Sequence, residues 1–229
     1  MDYNAVTAKI KALRSRLLTE ADYYALCNSQ SVSHFLNQAP LSRLEDELAK
    51  MRLFIGDIQN RRLLLLEQNE RDQNYIKNWS FIKSMPNSQN RKALMYIKGS
   101  EIDLHNIMRI YRLKRYYPKA EIYPNLIPIC LRLSKEEIKQ MSDSPGVGEF
   151  IVAVRHTPYK HLSFENPEHA VFKDMKRIYN RLVKRCPQSA VGILSYFFDK
   201  RTEEYNLQAI EEGLRNHLPP GEILGYLRL

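Results

Sequence analysis

Turn-forming residues are scarce in this chain: 229 residues hold only 8 glycines and 11 prolines. A β-sandwich or barrel needs a turn signal roughly every 8–12 residues, and these positions cannot supply them. Between the prolines, apolar residues recur at three- and four-residue spacing, the period of one helix face. Both observations predict an all-α fold. The length fits one domain or two closely packed halves.

The helical pattern can be followed along the chain. Tyr3, Val6, Ile10, Leu13 and Leu17 form the stripe of a first helix. Thr19 precedes Glu20, Ala21 and Asp22 as an N-cap with acids in the first turn, opening a second helix through Leu26. A third, from about Ser31 to Asn37, is stopped by Pro40. From Arg43 to about Lys83 the only glycine is Gly56 and there is no proline. This stretch reads as one long helix or a bent pair, with polar Glu67 to Asn74 the place for a break. Met85-Pro86-Asn87-Ser88 is a loop. Helix resumes from Gln89 to Tyr117, with a joint at Gly99-Ser100, and Pro118 ends it. Pro124 and Pro128 make Tyr123 to Leu133 largely non-helical, and Ser134 with Glu137 forms a capping-box signature. Val147 to Val154 is too short to assign by period. Asn166-Pro167 starts a helix that buries Val171, Met175, Ile178 and Leu182. After Pro187 a last helix covers about Ser189 to His217 and ends at Pro219-Pro220-Gly221.

Two stretches match at an offset of 115 residues. Leu18-Thr19-Glu20-Ala21-Asp22-Tyr23 aligns with Leu133-Ser134-Lys135-Glu136-Glu137-Ile138, and the offset carries Leu26, Val32 and Phe35 onto Met141, Val147 and Phe150. At an offset of 103, Asp103-Leu104-His105-Asn106-Ile107 aligns with Asn206-Leu207-Gln208-Ala209-Ile210, and Arg112 with Arg215. A repeated helical module accounts for both matches, and the resemblance of generic amphipathic helices is the alternative. The expected organisation is one domain over 1–229, with modules at about 1–117 and 118–229.

Lys and Arg number 35 against 26 Asp and Glu, for a net charge of +9, which favours acidic partners. From Leu104 to Ala120 there is no acid, and Arg109, Arg112, Lys114, Arg115 and Lys119 interleave with Tyr111, Tyr116 and Tyr117. Lys173, Lys176, Arg177, Arg181, Lys184 and Arg185 line a later helix, offset by Asp174. Such patterns suit a partner surface, phosphate binding with base stacking, or a solvated face. Arg109, Arg112, Lys114 and Arg115 are the predicted partner contacts.

Catalytic signatures are missing from the sequence. It holds no Gly-x-x-x-x-Gly-Lys-Ser/Thr phosphate loop and no Gly-x-Ser-x-Gly nucleophile turn. Cys27, Cys130 and Cys186 are too few and too scattered for a disulfide framework or a Cys-x-x-Cys zinc site. His156, His161 and His169 lack metal-ligand spacing. No catalytic residue, metal or cofactor is expected. No stretch approaches the roughly 18 apolar residues of a membrane span, and Met1-Asp2-Tyr3-Asn4-Ala5 lacks a signal-peptide pattern. The expected location is cytoplasmic.

Several segments in order carry a family resemblance: Arg16 to Tyr23, Asp103 to Arg112, Leu126-Ile127-Pro128, Leu133 to Glu137 and Thr157-Pro158-Tyr159. The chain resembles the C subunit of bacterial and archaeal V/A-type ATPases, called the d subunit in eukaryotic V-ATPases. Ile129 and Cys130 stand where glycines commonly follow the Ile-Pro step. The resemblance implies an all-helical, funnel-like bundle of repeated modules, here a partial funnel. It implies a non-catalytic adaptor between the central rotor stalk and the membrane proteolipid ring, passing torque for proton or sodium transport. Its place would be peripheral, at the cytoplasmic face of a membrane. Asn106, Thr157, Pro158 and Tyr159 are then expected to hold the repeat together. The alternative function is a basic helical nucleic-acid-binding protein.

Overall fold

The computed structural model describes residues 3–29, 68–187 and 189–229. Among them are nine α-helices and no strand: α1 (Tyr3–Arg14), α2 (Glu20–Cys27), α3 (Gln68–Ser84), α4 (Gln89–Tyr116), α5 (Lys135–Asp143), α6 (Val147–Arg155), α7 (Pro167–Arg185), α8 (Val191–Arg215) and α9 (Pro220–Tyr226). The helix expected near Ser31 to Asn37, and the stretch from Arg43 to Glu67, lie outside the described residues.

Helix starts are set by side chains that take up otherwise orphaned backbone N–H groups. Thr19 and Asp22 form a reciprocal capping box at α2, and Ser134 and Glu137 form another at α5. Ser88 caps α4 by accepting from the Arg91 N–H, and Asn166 caps α7 by accepting from the His169 N–H, with Pro167 at the first helical position.

The structure overturns one sequence expectation and refines three others. α4 runs unbroken through Gly99-Ser100, so there is no joint. A Cβ at Gly99 would sit 2.5 Å from the Leu131 Cβ, so this glycine is there to admit the returning chain. α3 is continuous from Gln68, so no break falls between 68 and 74. Val147 to Val154 is helical, and the segment from Tyr123 is irregular apart from a 3₁₀ turn over Tyr123–Asn125. α8 ends at Arg215, close to its expected limit, and Pro219-Pro220 then opens a further helix, α9, with Pro220 at its start.

The chain divides into two compact units. One unites the described N-terminal residues with Gly192–Leu229; the other holds the described residues of Glu67–Val191. The sequence modules at 1–117 and 118–229 run across this division. In the first unit, α9 packs on α2 around Tyr23, Leu26, Cys27, Leu207, Ile210, Ile223 and Leu227. Just past α8, His217 sits at φ 56°, and its left-handed turn lets the Leu218 N–H reach the Gly213 carbonyl at 2.9 Å. That turn sends α9 back along α8, and Gly213 leaves room for Ile223.

In the second unit, α4 is the central helix, with α3, α6 and α7 packed on it. Its residues Ile97, Ile102, Leu104, Ile107 and Ile110 are fully buried, together with Ile127, Met141, Phe150 and Tyr159. Tyr111, Phe150 and Phe164 pack as an aromatic trio, with ring centroids 5.2 to 6.3 Å apart. Among the described residues, no helix is long and apolar enough to cross a membrane.

Candidate functional site

One turn of α4 places Asp103 and Asn106 on the same side, because residues three apart neighbour each other on a helix. Both are completely buried, and both hold the chain that returns after Pro118. The Asn106 amide donates to the Ile127 carbonyl at 2.9 Å and accepts from the Ile127 N–H at 3.0 Å. It replaces, for one residue, the pairing that a strand neighbour would provide. Asp103 accepts from the N–H groups of Leu131, Arg132 and Leu133 at 3.1, 2.8 and 3.3 Å, and from the Tyr159 hydroxyl at 3.1 Å. Burial raises the Asp103 carboxyl above the usual aspartate range, against the downward pull of those four hydrogen bonds. Burial also raises the Tyr159 hydroxyl, which stays a donor.

The Thr157-Pro158-Tyr159 turn completes this clamp. Thr157 Oγ1 donates to the Val154 carbonyl at 2.7 Å and accepts from the Tyr159 N–H at 3.1 Å. The Pro158 carbonyl accepts from Arg132 at 3.1 Å, and the Arg132 guanidinium lies 4.5 Å from the Tyr159 ring centre. The structure thus brings Asn106, Thr157, Pro158 and Tyr159 around one loop, and adds Asp103 and Arg132.

A second clamp occurs on α8. Asn206 donates to the Arg228 carbonyl at 3.3 Å and accepts from the Arg228 N–H at 2.8 Å. Glu203 accepts from the Leu18 N–H at 2.7 Å, directly before the Thr19 capping box, and from Lys200 at 2.6 Å. Asp103 likewise holds the residues directly before the Ser134 capping box. The clamps therefore correspond at an offset of one hundred residues, Asp103 with Glu203 and Asn106 with Asn206. The sequence match at an offset of 103 sets Asp103 against Asn206 instead.

The four cations expected to face a partner divide. Arg109 is 8% exposed and points inward. It makes a bidentate pair with Asp72 of α3 at 2.8 and 2.7 Å, donates to the Asn125 carbonyl and lies 2.7 Å from His105 Nε2. Burial, then the Arg109 charge, push the His105 imidazole down to about 4, so it is neutral beside the guanidinium. Lys114 donates to the carbonyls of Ser142 and Ser144, and desolvation lowers its ammonium. It borders a groove of about 340 Å³ also lined by Pro118, Tyr123, Asp143 and Pro145. Arg112 and Arg115 are not buried. Arg112 pairs with Glu168 at the start of α7, while Arg115 donates to the Tyr111 hydroxyl and lies over the exposed Tyr116 ring. Tyr116 and Tyr117 are more than 60% exposed.

No signal within α4 marks Arg109 as internal; its partner lies 37 residues earlier, on another helix. Asp103 and Asn106 were legible as motif positions, whereas Glu203 needed the correct offset.

The polar positions in the motif segments are those that bind the returning chain. The family model described as ATP synthase (C/AC39) subunit matches residues 41–226. The chain belongs to this family. It is similar to the C subunit of the A-type ATP synthase of Methanobrevibacter smithii, with 24% identity over 185 residues. That match takes in 75% of this chain and 46% of the relative, so the chain spans less than half of that protein's length. Both clamps fall within residues covered by the family match, apart from the Leu18 end of the second and its last contact at Arg228.

Proposed function

We propose that this chain is a non-catalytic adaptor subunit of a rotary V/A-type ATPase. It would link the central rotor stalk to the membrane proteolipid ring and pass torque between them during proton or sodium transport. It would act at the cytoplasmic face of the membrane through the complex. The family match over residues 41–226 is the observation that carries this reading. The clamps support it physically: buried polar side chains that tie loops to central helices give units that rotate without deforming. The proposed partner surface is the outer end of α4, with Arg112 and Arg115 at the contact and the Tyr116 and Tyr117 rings beside them. Arginine and tyrosine are the residue types that anchor protein interfaces. Arg109 and Lys114 stand behind this surface and fix its shape. The nucleic-acid alternative loses two of the α4 cations, Arg109 to Asp72 and Lys114 to backbone carbonyls.

Co-expression with the central-stalk subunits of a V/A-type ATPase, followed by size-exclusion chromatography, tests the reading. A stoichiometric complex that survives moderate salt is expected, and Arg112→Ala with Arg115→Ala should weaken it. Clean separation at micromolar concentration would overturn the proposal.

A further inference from the structure

The second basic helix is unlike α4. On α7, Lys173, Arg177, Arg181, Lys184 and Arg185 all reach the surface. At 100° per residue they fall within an arc of about 120° and extend along about 18 Å of helix, with charges four apart about 6 Å from each other. The opposite face buries Phe172, Met175, Ile178, Tyr179 and Leu182 against the unit. Both acids of α7 are committed elsewhere. Asp174 is buried, 2.6 Å from His161, and Glu168 pairs with Arg112 of α4. Among the described residues, none of the five cations has an ion-pair partner. Their i,i+4 spacing makes them repel one another along the helix, a cost that an anionic partner removes.

We infer that this stripe is a docking surface for an acidic α-helix of a partner protein, one that presents carboxylates at three- and four-residue spacing. Charge complementarity fixes the sign, and the spacing fixes the form, since carboxylates four apart on a facing helix are also about 6 Å apart. Other polyanions fit less well. Single-stranded nucleic acid needs aromatic platforms, and the aromatics of α7, Phe172 and Tyr179, are buried. A helix lying in a lipid surface inserts apolar side chains, and the outward face between Lys173 and Arg185 carries none. The inference rests on α7 alone and holds whichever complex the chain joins.

The test needs no ATPase component. A labelled alanine-based helical peptide with glutamates at i, i+4, i+8 and i+11 is titrated with the full chain and followed by fluorescence anisotropy. This peptide should bind about tenfold tighter than one of identical composition with its glutamates spread around the helix. Lys173→Gln, Arg177→Gln and Arg181→Gln together should abolish that difference, as should the single exposed change Arg177→Glu. Lys135→Gln with Lys139→Gln, exposed cations of α5, should leave it intact. Equal affinity for the two peptides, or a loss shared by the α5 variant, would overturn the inference. So would tighter binding of an oligo-dT strand or of phosphatidylserine vesicles than of the striped peptide.

Discussion

The two clamps do the same job on chain segments at very different distances. On α4, Asn106 and Asp103 hold backbone 21 to 30 positions downstream, and Asp103 also holds the Tyr159 hydroxyl 56 positions on, through contacts that are buried or part-buried. On α8, Asn206 holds Arg228, 22 positions away, but Glu203 holds Leu18, 185 positions away. The α4 clamp fixes a loop within one local excursion. The α8 clamp joins the α2 capping box to a helix from the far end of the sequence. The geometry of a carboxylate before a capping box is indifferent to chain order; the entropy of bringing the segments together is not.

Removing the carboxamides should separate the clamps most sharply. Asn106→Ala strands the Ile127 N–H and carbonyl where water cannot reach, and should cost about 4 kcal/mol. Asn206→Ala should cost about 2 kcal/mol, because Arg228 is half-buried and water can replace part of the loss. Urea denaturation of the two variants measures both, and equal losses would erase the distinction.

Acid should act beside the α4 clamp through His105, which has no histidine counterpart on α8. His105 titrates at about 4 when folded, against 6.5 for a free imidazole. Between those values the unfolded chain binds the extra proton, so stability falls as pH drops from about 6.5 to about 4, by roughly 3 kcal/mol. Position 205, one hundred residues on, is a tyrosine, so α8 carries no matching imidazole. His105→Gln should flatten the pH dependence of the denaturation midpoint.

The glycines of the two long helices give a smaller contrast. Gly99→Ala drives a methyl against the Leu131 Cβ, close to the backbone that Asp103 holds, and should cost about 2 kcal/mol by thermal unfolding. Gly213→Ala meets Ile223 side-chain atoms, the nearest at 2.7 Å, which can rotate away, so its cost should be lower. The capping boxes should be equal: Thr19→Ala and Ser134→Ala each remove one exposed cap, at about 1 kcal/mol. A markedly larger loss at Thr19 would mean that α2 relies on its cap more than α5 does.

Local chemistry was the legible part of this fold. Thr19, Ser134 and Asn166 cap helices as their side chains dictate, because a cap acts within three residues. Misreadings came where a distant segment decided the outcome. Gly99 reads as a helix joint until Leu131 is seen to occupy its empty side. Pro219-Pro220 reads as a terminator, although a proline can as well begin a helix, and Ile223 packing on Gly213 makes it do so. Arg109 reads as a surface cation because its sequence neighbours are basic; Asp72, on another helix, turns it inward. The stripe on α7 was visible as composition, but its lack of neutralisation followed from where Asp174 and Glu168 point.

The bond between Leu18 and Glu203 also sets an order in time. Leu18 leaves the ribosome 185 residues before the carboxylate that holds it. At synthesis rates of about 5–20 residues per second, α2 therefore waits roughly 10 to 40 s for its anchor. During that interval Tyr23, Leu26 and Cys27 have no α8 or α9 to cover them, while the α4 clamp closes within a few seconds of Asp103 being made. α2 is thus anchored long after it is made, and the nascent segment around it is where a chaperone would have most to protect.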